Sequence, residues 1–190
     1  RNRTLFPYTT LFRSVLSWYD NMRNPVPTWY FKGYYLQYID GIPFKLKSAF
    51  DFSFMKEYGT VFKVYDDQDS GNICFGTEKD GQRYFVKFAG APTEQFGGDP
   101  ADAISRLKAT LPIYSDLKHE NLIELIEAKE IGDGFAMVFK WADSDCMGRM
   151  YPAAYRRFIQ IPINDRIAVF SDILSLLEGV DSSNYVAIEF

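Results

Sequence analysis

Short apolar runs of strand length dominate the middle of the chain, at Gly59 to Tyr65, Asn72 to Thr77 and Arg83 to Ala89. All three are rich in the β-branched and aromatic residues that suit a pleated, half-buried surface. A polar loop through Asp66, Gln68 and Gly71 joins the first two, and Glu78-Lys79-Asp80-Gly81-Gln82 joins the second to the third. Asp-Gly favours a tight hairpin, because both central positions tolerate positive φ. A Gly- and Pro-bearing connection, Gly90 to Pro100, then leads into Ala101 to Leu111, where Ile104, Leu107 and Leu111 recur at helical spacing. Asp99 suits the N-cap, Pro100 the first helical position, and Pro112 interrupts the helix. Two more runs, Leu122 to Ala128 and Gly134 to Trp141, flank Ile131-Gly132-Asp133-Gly134 and predict a second hairpin. Three strands, a helix and two strands predict an α+β fold: an antiparallel sheet with one helix against it.

Beyond this region the period lengthens. Pro152 to Ile159 reads as a short helix, and Ile163, Ile167, Phe170, Ile173, Leu174 and Leu177 mark the apolar face of a longer one. Asn164 or Asp165 can start it and Gly179 can stop it. Tyr185 to Ile188 is a last strand-like run. No low-complexity linker or repeat divides residues 43–190, which read as one unit. Upstream, residues 15–42 are dense in Trp and Tyr with no sustained period, consistent with an extension packed on the domain or with an off-frame translation. Residues 4–14 look like the translation of a sequencing-library adapter. A targeting peptide is the alternative, since the segment has arginines and hydroxyls and no acid, but it lacks a continuous apolar core and an initiating methionine. Residues 1–14 are therefore read as an artefact and left out of fold reasoning.

Composition narrows the function. A length of 190 residues with 47% hydrophobic content supports one domain with a real core. The net charge of -4 gives no reason to expect nucleic acid or an anionic membrane surface. Cys74 and Cys146 form no CxxC, which argues against a disulfide scaffold and for a reducing cytoplasm. His119 is the single histidine, so a His-rich metal site is excluded and any Ser-His-Asp triad would have to use it. No run approaches the ~18 apolar residues that span a bilayer.

Residues 43–190 resemble the first half of a protein-kinase-like domain, in particular bacterial serine/threonine-kinase-like proteins with similar "YG-VFKVYDDQDSGN" and "FVKFAGAPTE" segments. The resemblance implies a kinase-like amino-terminal lobe over residues 43–142, a five-stranded antiparallel sheet plus one helix. Residues 143–190 would be the hinge and the start of a truncated second lobe. In the family's G-x-G-x-x-G-x-V loop those places are held here by Asp66, Gln68, Gly71 and Ile73. Only the third glycine remains, and acids beside a phosphate cradle weaken it. Tyr84-Phe85-Val86-Lys87 stands where the family has V-A-I-K, which implies that Lys87 reaches the α/β-phosphates of ATP. Read without that context, Lys87 is a lysine snorkelling at a strand edge.

His119-Glu120-Asn121-Leu122-Ile123 is similar to the turn that follows the kinase helix, and is read as structural. Thr110 occupies the place of the glutamate that pairs with the lysine; Glu94, Asp99 and Asp102 are substitutes that do not match the motif. The resemblance makes Phe139 the gatekeeper and assigns adenine recognition to the backbone of Lys140, Trp141 and Ala142, with Asp143 or Asp145 near a ribose hydroxyl. Ala187-Ile188-Glu189 stands at H-R-D, so Glu189 takes the place of the catalytic aspartate, one methylene longer. The family's metal-binding Asn and D-F-G aspartate have no counterpart, so no metal ligand is assigned and Mg²⁺ belongs to an intact parent.

The implied function is a fragment of an ATP-dependent serine/threonine-kinase-like phosphotransferase acting on a protein or small-molecule hydroxyl, inactive by itself. A pseudokinase or interaction module is one alternative, and a small-molecule kinase of the aminoglycoside or choline type is another. Poor solubility or association is expected from an apolar helix face at Ile167, Phe170, Leu174 and Leu177.

Overall fold

The computed structural model describes residues 29–31, 33–117, 119–120, 122–142 and 152–183. Asp143, Asp145, the predicted strand 185–188 and Glu189 lie outside them, as do residues 1–28. Eight strands and four α-helices are described. A first sheet contains β1 (Trp29–Phe31), β2 (Tyr34–Ile39) and β3 (Ile42–Leu46), paired antiparallel in that order. After a 3-10 helix at Ser53–Tyr58 come β4 (Thr60–Tyr65), β5 (Asn72–Lys79) and β6 (Gln82–Ala89). Next along the chain are α1 (Pro100–Ala109), α2 (Leu111–Asp116), β7 (Leu125–Ile131), β8 (Gly134–Lys140), α3 (Pro152–Gln160) and α4 (Ile163–Ser182).

The second sheet has the order β4-β5-β6-β8-β7, with antiparallel pairs throughout. The molecule is therefore α+β, with a five-stranded antiparallel sheet and a few helices. Asp80 and Gly81 take φ of 52° and 74°, the two-residue turn that their chemistry predicts between β5 and β6. That turn fixes the β5–β6 register, which puts Cys74 opposite Lys87 and Ile73 opposite Phe88. On its other side β6 meets β8, with Lys87 opposite Met137.

Period-two alternation gives the sheet two buried faces. On one, Ile73, Phe75, Val86, Phe88, Ala136 and Val138 pack against Phe44, Leu46, Phe52 and Met55 from the preceding segment. On the other, Ala89, Phe135, Met137 and Phe139 pack against Phe96, Ala103 and Leu107 of α1 and its lead-in. Phe75 and Phe88 are both 0% exposed, each burial contributing about 1.5–3 kcal/mol.

The β2–β3 hairpin crosses residue 43 and turns on Asp40-Gly41, with φ of 48° and 80°. Two side chains tie this hairpin to β4 and to the segment before the 3-10 helix. Asp40 Oδ2 accepts from the Val61 amide at 2.7 Å, and the Gln37 side chain both donates to the Phe50 carbonyl (2.9 Å) and accepts from its amide (3.0 Å).

Some element ends differ from those the sequence predicts. The Asp99 side chain caps α1 by accepting from the Ala101 amide at 2.9 Å, as expected. Pro112 does interrupt α1, but it also opens α2, where the missing N–H costs little. β7 starts at Leu125 instead of Leu122, because the Leu122 amide closes a turn onto the His119 carbonyl at 3.0 Å. α4 begins at Ile163 after Pro162 and runs through Gly179 to Ser182, so neither Asn164 nor Asp165 is its cap and Gly179 is not its stop. A glycine inside a helix costs about 1 kcal/mol, which a 20-residue helix can carry. Among the described residues no helix is long and apolar enough to cross a membrane.

Candidate functional site

Lys87 is half-buried near the end of β6, on the face that α1 covers. Strand alternation and the register lay one row across the sheet on this face: Tyr65, Cys74, Lys87, Met137 and Ala128. Two residues back along β6, Phe85 sits beside Tyr65 (ring centroids 6.0 Å apart), Phe139 (6.3 Å) and Trp141 (6.4 Å). An ammonium thus stands at the edge of a half-exposed aromatic cluster.

No carboxylate forms an ion pair with Lys87 among the described residues, and none accepts a hydrogen bond from it. Thr110 ends α1 with its Oγ1 bonded to the Leu107 carbonyl at 2.7 Å and lying 3.5 Å from Met137 Sδ. That position therefore meets the neighbour of Lys87, through a hydroxyl. Asp99 is occupied as the helix cap, and Asp102 is exposed on the first turn of α1. Across the strand pair, burial pushes the Cys74 thiol up to about 12, against an opposing pull from Lys87. Cys74 is consequently a neutral, packed thiol and no nucleophile.

The loop between β4 and β5 is pinned at both ends. Asp66 Oδ2 accepts from the Lys45 amide of β3 at 2.7 Å. Burial raises the Asp66 carboxyl above its ordinary range, partly offset by that hydrogen bond. Gly71 has φ of +81°, and a Cβ there would stand 2.7 Å from both Ala103 Cβ and a Phe96 ring carbon. Close packing of the loop against α1 is what demands glycine here. Gln68 is half-buried in the same loop. Ile73, expected at the nucleotide, is 0% exposed in the core of the opposite face. It is turned away from Lys87 by the strand pleat, so it reaches no ligand on the Lys87 face.

At the other end of the face, Phe139 is buried against Tyr114, with centroids 5.0 Å apart. The Lys140 amide donates to the Glu124 carbonyl (2.9 Å) and the Trp141 amide to the Arg83 carbonyl (3.2 Å). Neither the Lys140 carbonyl nor the Ala142 amide takes part in those bonds. The Trp141 ring lies 5.0 Å from Phe62, and together they cover Gly76, where a Cβ would come within 2.8–2.9 Å of both.

His119 lies at the turn before β7, its Nε2 3.3 Å from Ser175 Oγ of α4. No group of three or more His, Cys, Asp or Glu that could hold a metal ion occurs among the described residues. A cavity of about 280 Å³ lies between the β2–β3 hairpin and the 3-10 helix, and one of about 480 Å³ between that helix and β7. Lys87 lines neither of these two cavities.

Tyr65, Phe62, Phe85 and Met137 join the site without having been singled out in the sequence. Their signal was available: the Asp80-Gly81 turn fixes which β5 residues face Lys87, and alternation puts Phe85 beside it. No protein-family model matches the chain, and no curated protein matches it.

Proposed function

We propose that the Lys87 face is a nucleotide-binding surface, and that the chain carries the ATP-binding lobe of a kinase-like phosphotransferase. The observation that supports this best is Lys87 itself, a half-buried ammonium with no anionic partner among the described residues, set beside aromatic rings. A compact cation near an apolar, ring-lined surface suits a ligand that is anionic at one end and planar at the other. ATP has this form. Lys87 would meet its phosphate oxygens, and the Lys140 carbonyl and Ala142 amide are the backbone groups that would meet the base edge.

Binding and transfer make different demands. Phosphoryl transfer depends on positioning and electrostatic stabilisation, so the ammonium must be oriented as well as present. Thr110 supplies no charge to orient it, and Asp66 is committed to the Lys45 amide. These two observations favour, as a second reading, a binding module of pseudokinase type that holds nucleotide and transfers little. Magnesium would supply charge neutralisation to a transferring phosphoryl group, but the described residues offer no cluster to hold it and no step is assigned to it.

Calorimetry with ATP on the whole chain tests the reading. Lys87→Met is expected to weaken ATP binding about tenfold or more, with the melting temperature unchanged. Equal affinity in both proteins would remove Lys87 from the site. Transfer of labelled γ-phosphate at a rate lost in Lys87→Met would favour the phosphotransferase over the binding module.

A further inference from the structure

We infer that this surface recognises nucleotides by stacking the base on Phe85, and therefore accepts purine and pyrimidine nucleotides with little discrimination. The inference rests on the nucleotide-binding reading of the Lys87 face and specifies its ligand class. Phe85 is the central ring of the cluster, half-exposed, two residues from Lys87 on the same strand and face. Its neighbours are already engaged. Lys63 Nζ lies 4.7 Å from the Tyr65 centroid, and the Arg83 guanidinium lies 5.1 Å from the Phe62 centroid. Those cations occupy the flanking rings, which leaves Phe85 and Trp141, tilted at 52° to each other, as the part-exposed rings with no cation over them among the described residues, and Phe85 as the one on the strand of Lys87.

Polar groups that could read a base edge are few: the Lys140 carbonyl and the Ala142 amide, each able to supply one hydrogen bond. The Lys140 and Trp141 amides are used inside the fold, and Arg83 Nε is bonded to Glu78 at 2.8 Å. A single backbone hydrogen bond changes affinity by about tenfold or less, whereas stacking one base on an aromatic ring is worth about five- to 150-fold. Stacking draws on the π-face that every base has, so it favours larger bases without selecting one. Lys87, on the same face of the same strand, adds attraction for any phosphate chain.

The test measures binding of ATP, GTP and UTP to the whole chain by calorimetry, with Phe85→Leu as the variant that keeps an apolar side chain and removes the ring. Trp141→Leu serves as a second variant at the end of the strand, and circular dichroism checks that both fold. Dissociation constants within about tenfold of one another, purines tightest, and a loss of about fivefold or more for every nucleotide in Phe85→Leu are expected. If one base wins by more than tenfold, or if folded Phe85→Leu binds as the parent does, base stacking on Phe85 is wrong while the nucleotide surface stands. If none of the three nucleotides binds, both fall.

Discussion

Asp66 shows how a single side chain can serve the scaffold where a ligand contact was expected. Its carboxylate leaves water to hold the Lys45 amide, and the loss of hydration makes ionisation costly. For an acid whose folded pKa is raised, the folded state is favoured below the ordinary carboxyl pKa of 3.8 and penalised as pH rises through the folded value. Asp66→Asn keeps an acceptor for the amide and removes the charge. Urea unfolding should show the variant more stable than the parent at pH 7 and equal to it near pH 3; a gain that does not depend on pH would point to another cause. Ile73 makes the complementary point about reading residues from sequence. Its match to a motif suggested a ligand contact, yet counting outward from the Asp80-Gly81 turn already sets it opposite Phe88, on the far side from Lys87. Motif spacing says which residues are comparable; the pleat says which way they point.

Elements were legible where local chemistry decides them. Asp99-Pro100 starts α1 and Asp80-Gly81 closes a hairpin because capping and positive φ depend on two or three residues. The same logic applies to Asp40-Gly41, which turns the aromatic stretch into paired strands although its hydropathy shows no clean period. Element ends set by distant contacts were not legible: β7 yields its first residues to a turn at His119, and α4 runs past Gly179. The contact between the β4–β5 loop and α1 is of this long-range kind, and Gly71 tests it. Gly71→Ala must strain a positive φ and displace Phe96, together about 2–4 kcal/mol. Gly81→Ala, with nothing within 4 Å of its Cβ, bears only the backbone strain, about 1–2 kcal/mol. Chemical denaturation of both variants should rank them in that order. Equal losses would mean that the loop does not lean on the helix.

For the whole molecule, burial is divided unevenly. The sheet is packed on both faces, whereas Ile163, Ile167, Phe170 and Leu174 of α4 are 58–59% exposed in one stripe. A contiguous apolar surface of this kind drives association. Ile167→Glu with Phe170→Glu should therefore shift the protein toward monomer in sedimentation velocity, with no loss of melting temperature. An unchanged distribution would show that the stripe is not the adhesive surface. The strand that carries Lys87 belongs to the other part of this division. It has a hydrogen-bonded neighbour on either side and a packed layer against each face, so no local fraying releases it without opening the sheet. Amides of β6 are therefore expected to exchange more slowly than those of α4, which hydrogen exchange would check. On the proposed nucleotide reading, any adjustment to a ligand would fall to the aromatic side chains and the strand end beside it, while the ammonium's own mounting stays fixed.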